Sequence, residues 1–444
     1  MNKAAHVSGS DGALGIVVGG GPSPGVNGII RAITFGAWRY GVTVVGIEDG
    51  FYWLGSGETS HARQMTPETV DPITLSPGVE LGTSRYNPTG SPEAMKNVLA
   101  SLQKLNIRYL AVIGGDDTGR TAALLQEMAG DQISIALIPK TIDNDLPVPG
   151  DRPSFGYQTA HEEAVGLIRS IYEDARTTQR WFFLTVMGAK TGHLALGVGK
   201  ATEATLTLIP EAFREEVNLD TLARILEAAI IRNRIQTPRR NYGVAILAEG
   251  LYFKLPKEDR QRLAEWWKIE EDPNGLPRIS QIDFGRVLKD IIKERYWQRA
   301  LETDSTLDRK KWKFPVVITS LNIGYEIRSR VPNAFDCEYA LDLGHAAVDG
   351  LLRNGIRGVI LGISGGHAVF RPFSEIIDAE SGRIVIQHVN VQTPAYRIAR
   401  DYMLRLNPGD LQDEPLVTKM AEALGISSER LRAEYQPALD AELI

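Results

Sequence analysis

Residues 110–118 read LAVIGGDDT, an apolar run that breaks into two glycines, two aspartates and a threonine. A short run of this kind, followed by glycine and then by helical periodicity over 121–128, reads as a buried parallel strand that feeds a helix ending near Gly130. The same order of residue types recurs. Residues 14–18 end in Gly19-Gly20-Gly21, residues 133–138 lead into PKTIDND, and residues 182–186 end in Met187-Gly188. Residues 244–247 end in Ala248-Glu249-Gly250 and residues 359–363 in Ser364-Gly365-Gly366. After the first of these, Pro24 stands near a helix start, and Ile29, Ile33 and Ala37 recur every four residues until Gly41. The pattern predicts an α/β fold with parallel sheets, whose glycine loops lie at the carboxyl ends of the strands, where such sheets bind ligands.

The chain of 444 residues carries 49 basic and 55 acidic side chains, a net charge of −6, which excludes a polybasic nucleic-acid binder. With 43% hydrophobic and 23% charged residues it has the composition of a globular protein, with room for two or three domains. The single cysteine, Cys337, excludes an internal disulfide and a cysteine-based metal site. No apolar leader opens the chain and no run approaches ~18 apolar residues, so a soluble cytoplasmic protein without a membrane partner is expected.

Two segments depart from the strand–glycine–helix rhythm. Pro72, Pro77, Pro88 and Pro92 make 71–92 a long surface loop. Residues 251–313, charged and tryptophan-containing, read as a helical insertion that is either a solvated face or a gate. Four familiar patterns are broken. The turn 19–25 lacks the third Rossmann glycine, Ala201 follows Gly199-Lys200, Val165 replaces the second histidine after His161, and no His-Arg-Asp precedes Asp283-Phe284-Gly285.

Three loops carry chemistry. GGPSPGVN (20–27) brings backbone N–H groups to a helix start, where they either bind an anion or form a tight turn. In GGDDT (114–118) either one of the two adjacent carboxylates holds Mg²⁺ against phosphate oxygens, or Asp117 or Thr118 caps the helix. In PKTIDND (139–145) two carboxylates flank an amide with a lysine before them, which suits a general base and a cation at a phosphoryl group, or an Asx-capped turn.

Together with LGTSR (81–85), MGAKTGHLAL (187–196), AEG (248–250) and GYEIR (324–328), these loops resemble the 6-phosphofructokinase family, in its order and at its spacings over about residues 14–400. Within that family the sequence looks like the diphosphate-dependent branch. The resemblance implies two similar doubly wound lobes around a cleft, 1–155 with 327–395 and 156–326 with 396–444. It implies Mg²⁺-dependent, reversible phosphoryl transfer from diphosphate to the 1-hydroxyl of fructose 6-phosphate by a homo-oligomer, dimer or tetramer. Asp143 takes the place of the general base and Asp116 that of the magnesium ligand. Gly20, Gly21, Arg85, Asp117, Thr118 and Lys140 fall at the donor-phosphate site. Thr141, Ile142, Asp143, Arg180, Met187, Gly188, Ala189, Lys190, Glu249, Tyr325 and Arg328 fall at the sugar-phosphate site, with Arg180 matching an arginine that reaches a neighbouring subunit's 6-phosphate.

The family usually has arginine where Ala189 stands, and Lys190 either replaces that guanidinium as a point charge or is loop surface. ATP-dependent members tend to have glycine at the positions of Asp117 and Lys140. A carboxylate at 117 would repel an α-phosphate, whereas diphosphate ends before reaching it. The alternatives are an ATP-dependent 6-phosphofructokinase and an idle sugar-phosphate-binding paralogue.

Overall fold

The computed structural model describes residues 12–236, 241–270 and 277–443. These fall into two units, one of 12–160 with 325–387, the other of 161–236, 241–270, 277–324 and 388–443. In chain order the first unit holds β1 (Ala13–Val18), β2 (Val44–Ile47), β3 (Ala62–Met65), β4 (Ile107–Gly114) and β5 (Ser134–Pro139). The second holds β6 (Trp181–Val186), β7 (Leu206–Leu208), β8 (Gly243–Ala248) and β9 (Ile318–Ile323), after which the chain returns to the first as β10 (Val359–Ser364) and β11 (His367–Pro372).

The first sheet has the order β11-β10-β5-β4-β1-β2-β3, parallel from β10 to β2 and closed at each edge by an antiparallel strand. Every residue of β1 is buried because the strand serves two cores. Leu14, Ile16 and Val18 pack with Ile29 and Ile33 of the helix Val26–Arg39, while Ala13 and Val17 pack with Val112 and Leu125 on the other face. Burial on both faces explains the run without polar alternation, each large aliphatic side chain contributing about 1.5–3 kcal/mol. From β1 the chain runs outward to β2, and from β4 it runs to β5 on the other side. The strand order therefore reverses between β1 and β4, and the loops that leave their carboxyl ends part to form a crevice.

The second sheet, β7-β8-β6-β9, is wholly parallel. Both units are therefore α/β with parallel sheets, as expected for two doubly wound lobes, the first sheet of seven strands and the second of four. Apart from a bridge of Ser84 to Gly19, residues 71–91 contain only the short 3-10 turns Asp71–Ile73 and Pro88–Gly90, as the prolines require, and Pro92 opens the helix Pro92–Lys104. Between β8 and β9 lie the helices Lys257–Trp267 and Phe284–Thr303. The second of these is not merely a solvated face, since its Arg299 is 6% exposed and ion-paired to the fully buried Glu227. Among the described residues no helix is long and apolar enough to cross a membrane.

Candidate active site

At the switch point of the first sheet, the turn after β1 lies beside the segment 83–85. The Gly20 N–H donates to the Ser84 carbonyl (2.8 Å), and the Thr83 hydroxyl donates to the Gly20 carbonyl (2.8 Å). Gly20 is left-handed, at φ 84°, where a side chain would be strained. A Cβ at Gly20 would stand 3.4 Å from the Lys140 ammonium, and one at Gly21 would stand 3.0 Å from Nη1 of Arg328. The two glycines thus leave their backbone open to cationic side chains and to whatever anion those cations attract.

The helix Asp116–Ala129 begins directly after β4 with Gly115 as its N-cap, so neither Asp117 nor Thr118 caps it. Asp116 and Asp117 occupy its first turn, half-buried, where a helix favours negative charge. Thr118 is buried and faces backbone: a Cβ at Gly19 or at Gly114 would approach it to 2.4 Å. Placed at the donor-phosphate site by resemblance, Thr118 here packs the two glycine loops against each other.

The third loop is pinned at both ends. The Lys140 N–H donates to the Gly114 carbonyl (2.9 Å), the Asp143 N–H to Oγ1 of Thr141 (3.0 Å) and the Ser154 N–H to Oδ1 of Asn144 (3.0 Å). Asn144 takes a left-handed conformation (φ 56°), which asparagine tolerates, so the chain turns sharply straight after Asp143. Ile142 is buried in this turn and Arg85 is exposed. Lys140 is 4% exposed and its ammonium donates to the Gly21 carbonyl. Burial, then Arg328, push its pKa down to about 7; Asp143 opposes the shift and Arg85 adds to it. The crevice thus gathers cations and carboxylates, an arrangement suited to a polyanion, a metal ion and a proton acceptor.

In the second unit the residues after β6 and β8 meet. One oxygen of Glu249 accepts from the N–H of Gly188 (3.0 Å) and of Ala189 (2.8 Å), and the Met187 N–H donates to the Ile323 carbonyl at the end of β9. Ala189 is left-handed (φ 49°), and a Cβ at Gly250 would stand 2.9 Å from its carbonyl oxygen. The turn at 187–190 is therefore set by Glu249 and by the missing side chain at Gly250. Lys190 is half-buried on this turn. Arg180 precedes β6 at the other end of the strand.

A phosphofructokinase family model matches residues 13–351. The chain belongs to the phosphofructokinase family. A relative in Thermotoga maritima, named pyrophosphate–fructose 6-phosphate 1-phosphotransferase, is 38% identical over 424 residues, 95% of this chain and 97% of its own. One of the same name in Naegleria fowleri is 37% identical, over 95% of each chain. The fold matches that of a pyrophosphate-dependent phosphofructokinase from Nitrosospira multiformis with a TM-score of 0.64 at 15% identity, over 89% of this chain and 91% of that one.

Against the family pattern the structure brings Gly20, Gly21, Asp116, Asp117, Lys140, Thr141, Ile142, Asp143 and Arg85 into the first unit, and Met187, Gly188, Ala189, Lys190, Glu249 and Arg180 into the second. Tyr325 and Arg328, grouped with the sugar residues by resemblance, lie in the first unit, with the guanidinium at the donor turn. Two contributors are not evident from the sequence. Thr83 fastens Gly20 from inside LGTSR. Asp336, fully buried, accepts from the N–H groups of Gly156 and Thr159 (2.8 Å each) and from the Thr159 hydroxyl (2.5 Å), just past the PKTIDND loop. Its signal is a carboxylate within the apolar helix Ala334–Val348.

Proposed function

We infer that the protein catalyses reversible phosphoryl transfer between diphosphate and the 1-hydroxyl of fructose 6-phosphate, giving fructose 1,6-bisphosphate and phosphate. The observation that carries the donor assignment is Lys140, a buried ammonium on the Gly21 carbonyl, in a chain of which two relatives bear that activity in their names. Fructose 6-phosphate recognition is assigned to Thr141, Met187, Gly188 and Glu249.

In this reading the Asp143 carboxylate accepts the proton of the 1-hydroxyl as its oxygen attacks the terminal phosphorus of diphosphate. The bond from that phosphorus to the bridging oxygen breaks, and phosphate leaves. Lys140 balances the charge that moves onto the leaving group. Asp117 disfavours a donor that extends beyond its second phosphate.

Among the described residues no group of three or more His, Cys, Asp or Glu side chains is arranged to hold a metal ion. The Asp116 carboxylate suits Mg²⁺, which takes few protein ligands and fills its shell with phosphate oxygens and water. When bound it would neutralise and polarise the donor oxygens. The reading extends to a cytoplasmic homo-oligomer. The Arg180 Nε, buried without a hydrogen bond in the single chain, supports a role for that arginine toward a neighbouring subunit.

A coupled assay with fructose 6-phosphate, Mg²⁺ and either diphosphate or ATP tests the assignment. Turnover with diphosphate and little with ATP is expected, and Asp143→Asn should lower kcat by ~10²–10⁴ with KM much less affected. Turnover with ATP alone would leave only the family, and binding without turnover would make the chain an idle paralogue.

A further inference from the structure

The turn 187–190 is held at its start by Glu249, and its far end meets a second carboxylate that no motif marks. The turn closes where the Thr191 N–H donates to the Gly188 carbonyl (3.0 Å), and the helix His193–Ala201 follows with Gly192 as an N-cap that makes no side-chain bond. Glu211 stands in for it. Its Oε1 accepts from the Gly192 N–H (3.1 Å), at a helix start, where a negative charge is favoured. The approach needs glycine, because a Cβ at 192 would stand 2.4 Å from Cβ of Ile209 and 2.8 Å from Oε2 of Glu211.

Glu211 is itself held on its backbone and at its side chain. It lies in the 3-10 turn Pro210–Ala212 just after β7, where the Leu443 N–H donates to the Ala212 carbonyl (2.8 Å) and the Arg214 N–H to the Ala441 carbonyl (3.2 Å). The Val389 N–H donates to the same Oε1 (3.1 Å), with Nδ1 of His388 3.6 Å away. The side chain is 7% exposed, and its Oε2 is buried with no hydrogen bond among the described residues. Burying a carboxylate with one oxygen unmet opposes folding, so stability alone does not account for it. Residues 388–389 and 441–443 lie outside 13–351, the part of the chain that the phosphofructokinase family model matches.

We propose that Glu211 is a positioning residue for fructose 6-phosphate, which fixes the far end of the sugar turn through the Gly192 N–H and is itself fixed by residues 388–389. This rests on the reading of that turn as the fructose 6-phosphate site. The turn is then set by two carboxylates, Glu249 on the N–H groups of Gly188 and Ala189 and Glu211 on that of Gly192.

Isothermal titration calorimetry of the full chain with fructose 6-phosphate and, separately, with magnesium imidodiphosphate tests it, beside steady-state kinetics. Glu211→Ala leaves two N–H groups unmet and should raise Kd and KM for fructose 6-phosphate about tenfold, with kcat and the Kd for imidodiphosphate within about twofold. Glu211→Gln keeps an acceptor oxygen and should recover most of the loss. Val389→Pro removes one donor and leaves the carboxylate, so it should raise the sugar Kd by a smaller factor, and it carries the test if the alanine variant does not fold. An unchanged sugar Kd in the folded variant would overturn the proposal, as would equal losses for both ligands. A glutamine variant as weak as the alanine one would also overturn it, since the charge and not the hydrogen bond would then be what the sugar needs. If the unaltered protein, folded by its thermal transition, bound no fructose 6-phosphate, the functional reading itself would fail, a result distinct from the other three.

Discussion

Lys140 combines burial with a functional charge, and the two pull its protonation in opposite directions. In the unfolded chain its pKa is the ordinary 10.5, while burial and Arg328 take the folded value to about 7. Between those values the unfolded chain holds a proton that the folded chain has released. Stability from this group therefore rises as pH rises through the window and is lowest below about 7, where the ammonium is buried charged. Donor binding runs the other way, since the charged form is the one that meets an anion. The KM for diphosphate should rise as pH climbs above about 7, and Lys140→Arg, whose guanidinium does not titrate, should flatten that rise. Diphosphate's own ionisation is common to both proteins and cancels between the two profiles. Coincident profiles would remove Lys140 from donor binding.

At the scale of elements, the loop that leaves a strand matters more than the strand itself. The end of β8 delivers Glu249 to the two N–H groups at the end of β6, so one carboxylate oxygen sets the turn 187–190. Glu249→Ala leaves both donors unmet, at about 1–3 kcal/mol for each if buried. Steady-state kinetics with one substrate varied at a time should show a KM for fructose 6-phosphate raised about tenfold or more, with that for diphosphate little changed. Glu249→Gln keeps an acceptor oxygen and should recover most of the loss. If it does not, the carboxylate's charge is needed by the sugar itself. The central strands β1, β4, β5, β6, β8 and β10 were legible because burial on both faces demands unbroken apolar runs. The edge strands β3, β9 and β11 were not, nor were β2 and β7, which at four and three residues are too short to show a pattern. Ala-Arg-Gln-Met, Ile-Thr-Ser-Leu-Asn-Ile and His-Ala-Val-Phe-Arg-Pro are partly exposed and carry no such demand.

Across the chain, segments far apart in sequence share one charge network in the second unit. Glu227 accepts from Arg299 (2.6 and 3.2 Å), Arg295 (3.0 Å) and the Tyr435 hydroxyl (2.7 Å). Glu434 accepts from Arg295 (2.8 Å) and Arg299 (2.7 Å). The helices Leu219–Gln236, Phe284–Thr303 and Ser428–Asp440 are joined in this way. Removing one partner leaves buried charge uncompensated, so Arg299→Met should cost about 3–5 kcal/mol in urea unfolding without changing either KM. Burial works against the Glu434 carboxylate, but hydrogen bonds from Arg299 and Arg430 prevail and bring its pKa to about 2. Its folded value is depressed, so its contribution is full above about 4.5 and fades as pH falls towards about 2.

The sequence alone determined the α/β class, the three loops that carry chemistry and the family. Each is written in local residue order: an apolar run, a residue that permits the turn, a side chain with chemistry. Only the tertiary structure decided which loops are neighbours. The reversal of strand order between β1 and β4 puts Gly20 beside Lys140 across more than a hundred residues, and the return of the chain after β9 carries Arg328 to Gly21. Thr118 became packing and the arginines of the insertion became core partners for the same reason. A side chain's role depends on what faces it, and that is set by long-range pairing that no local spacing records.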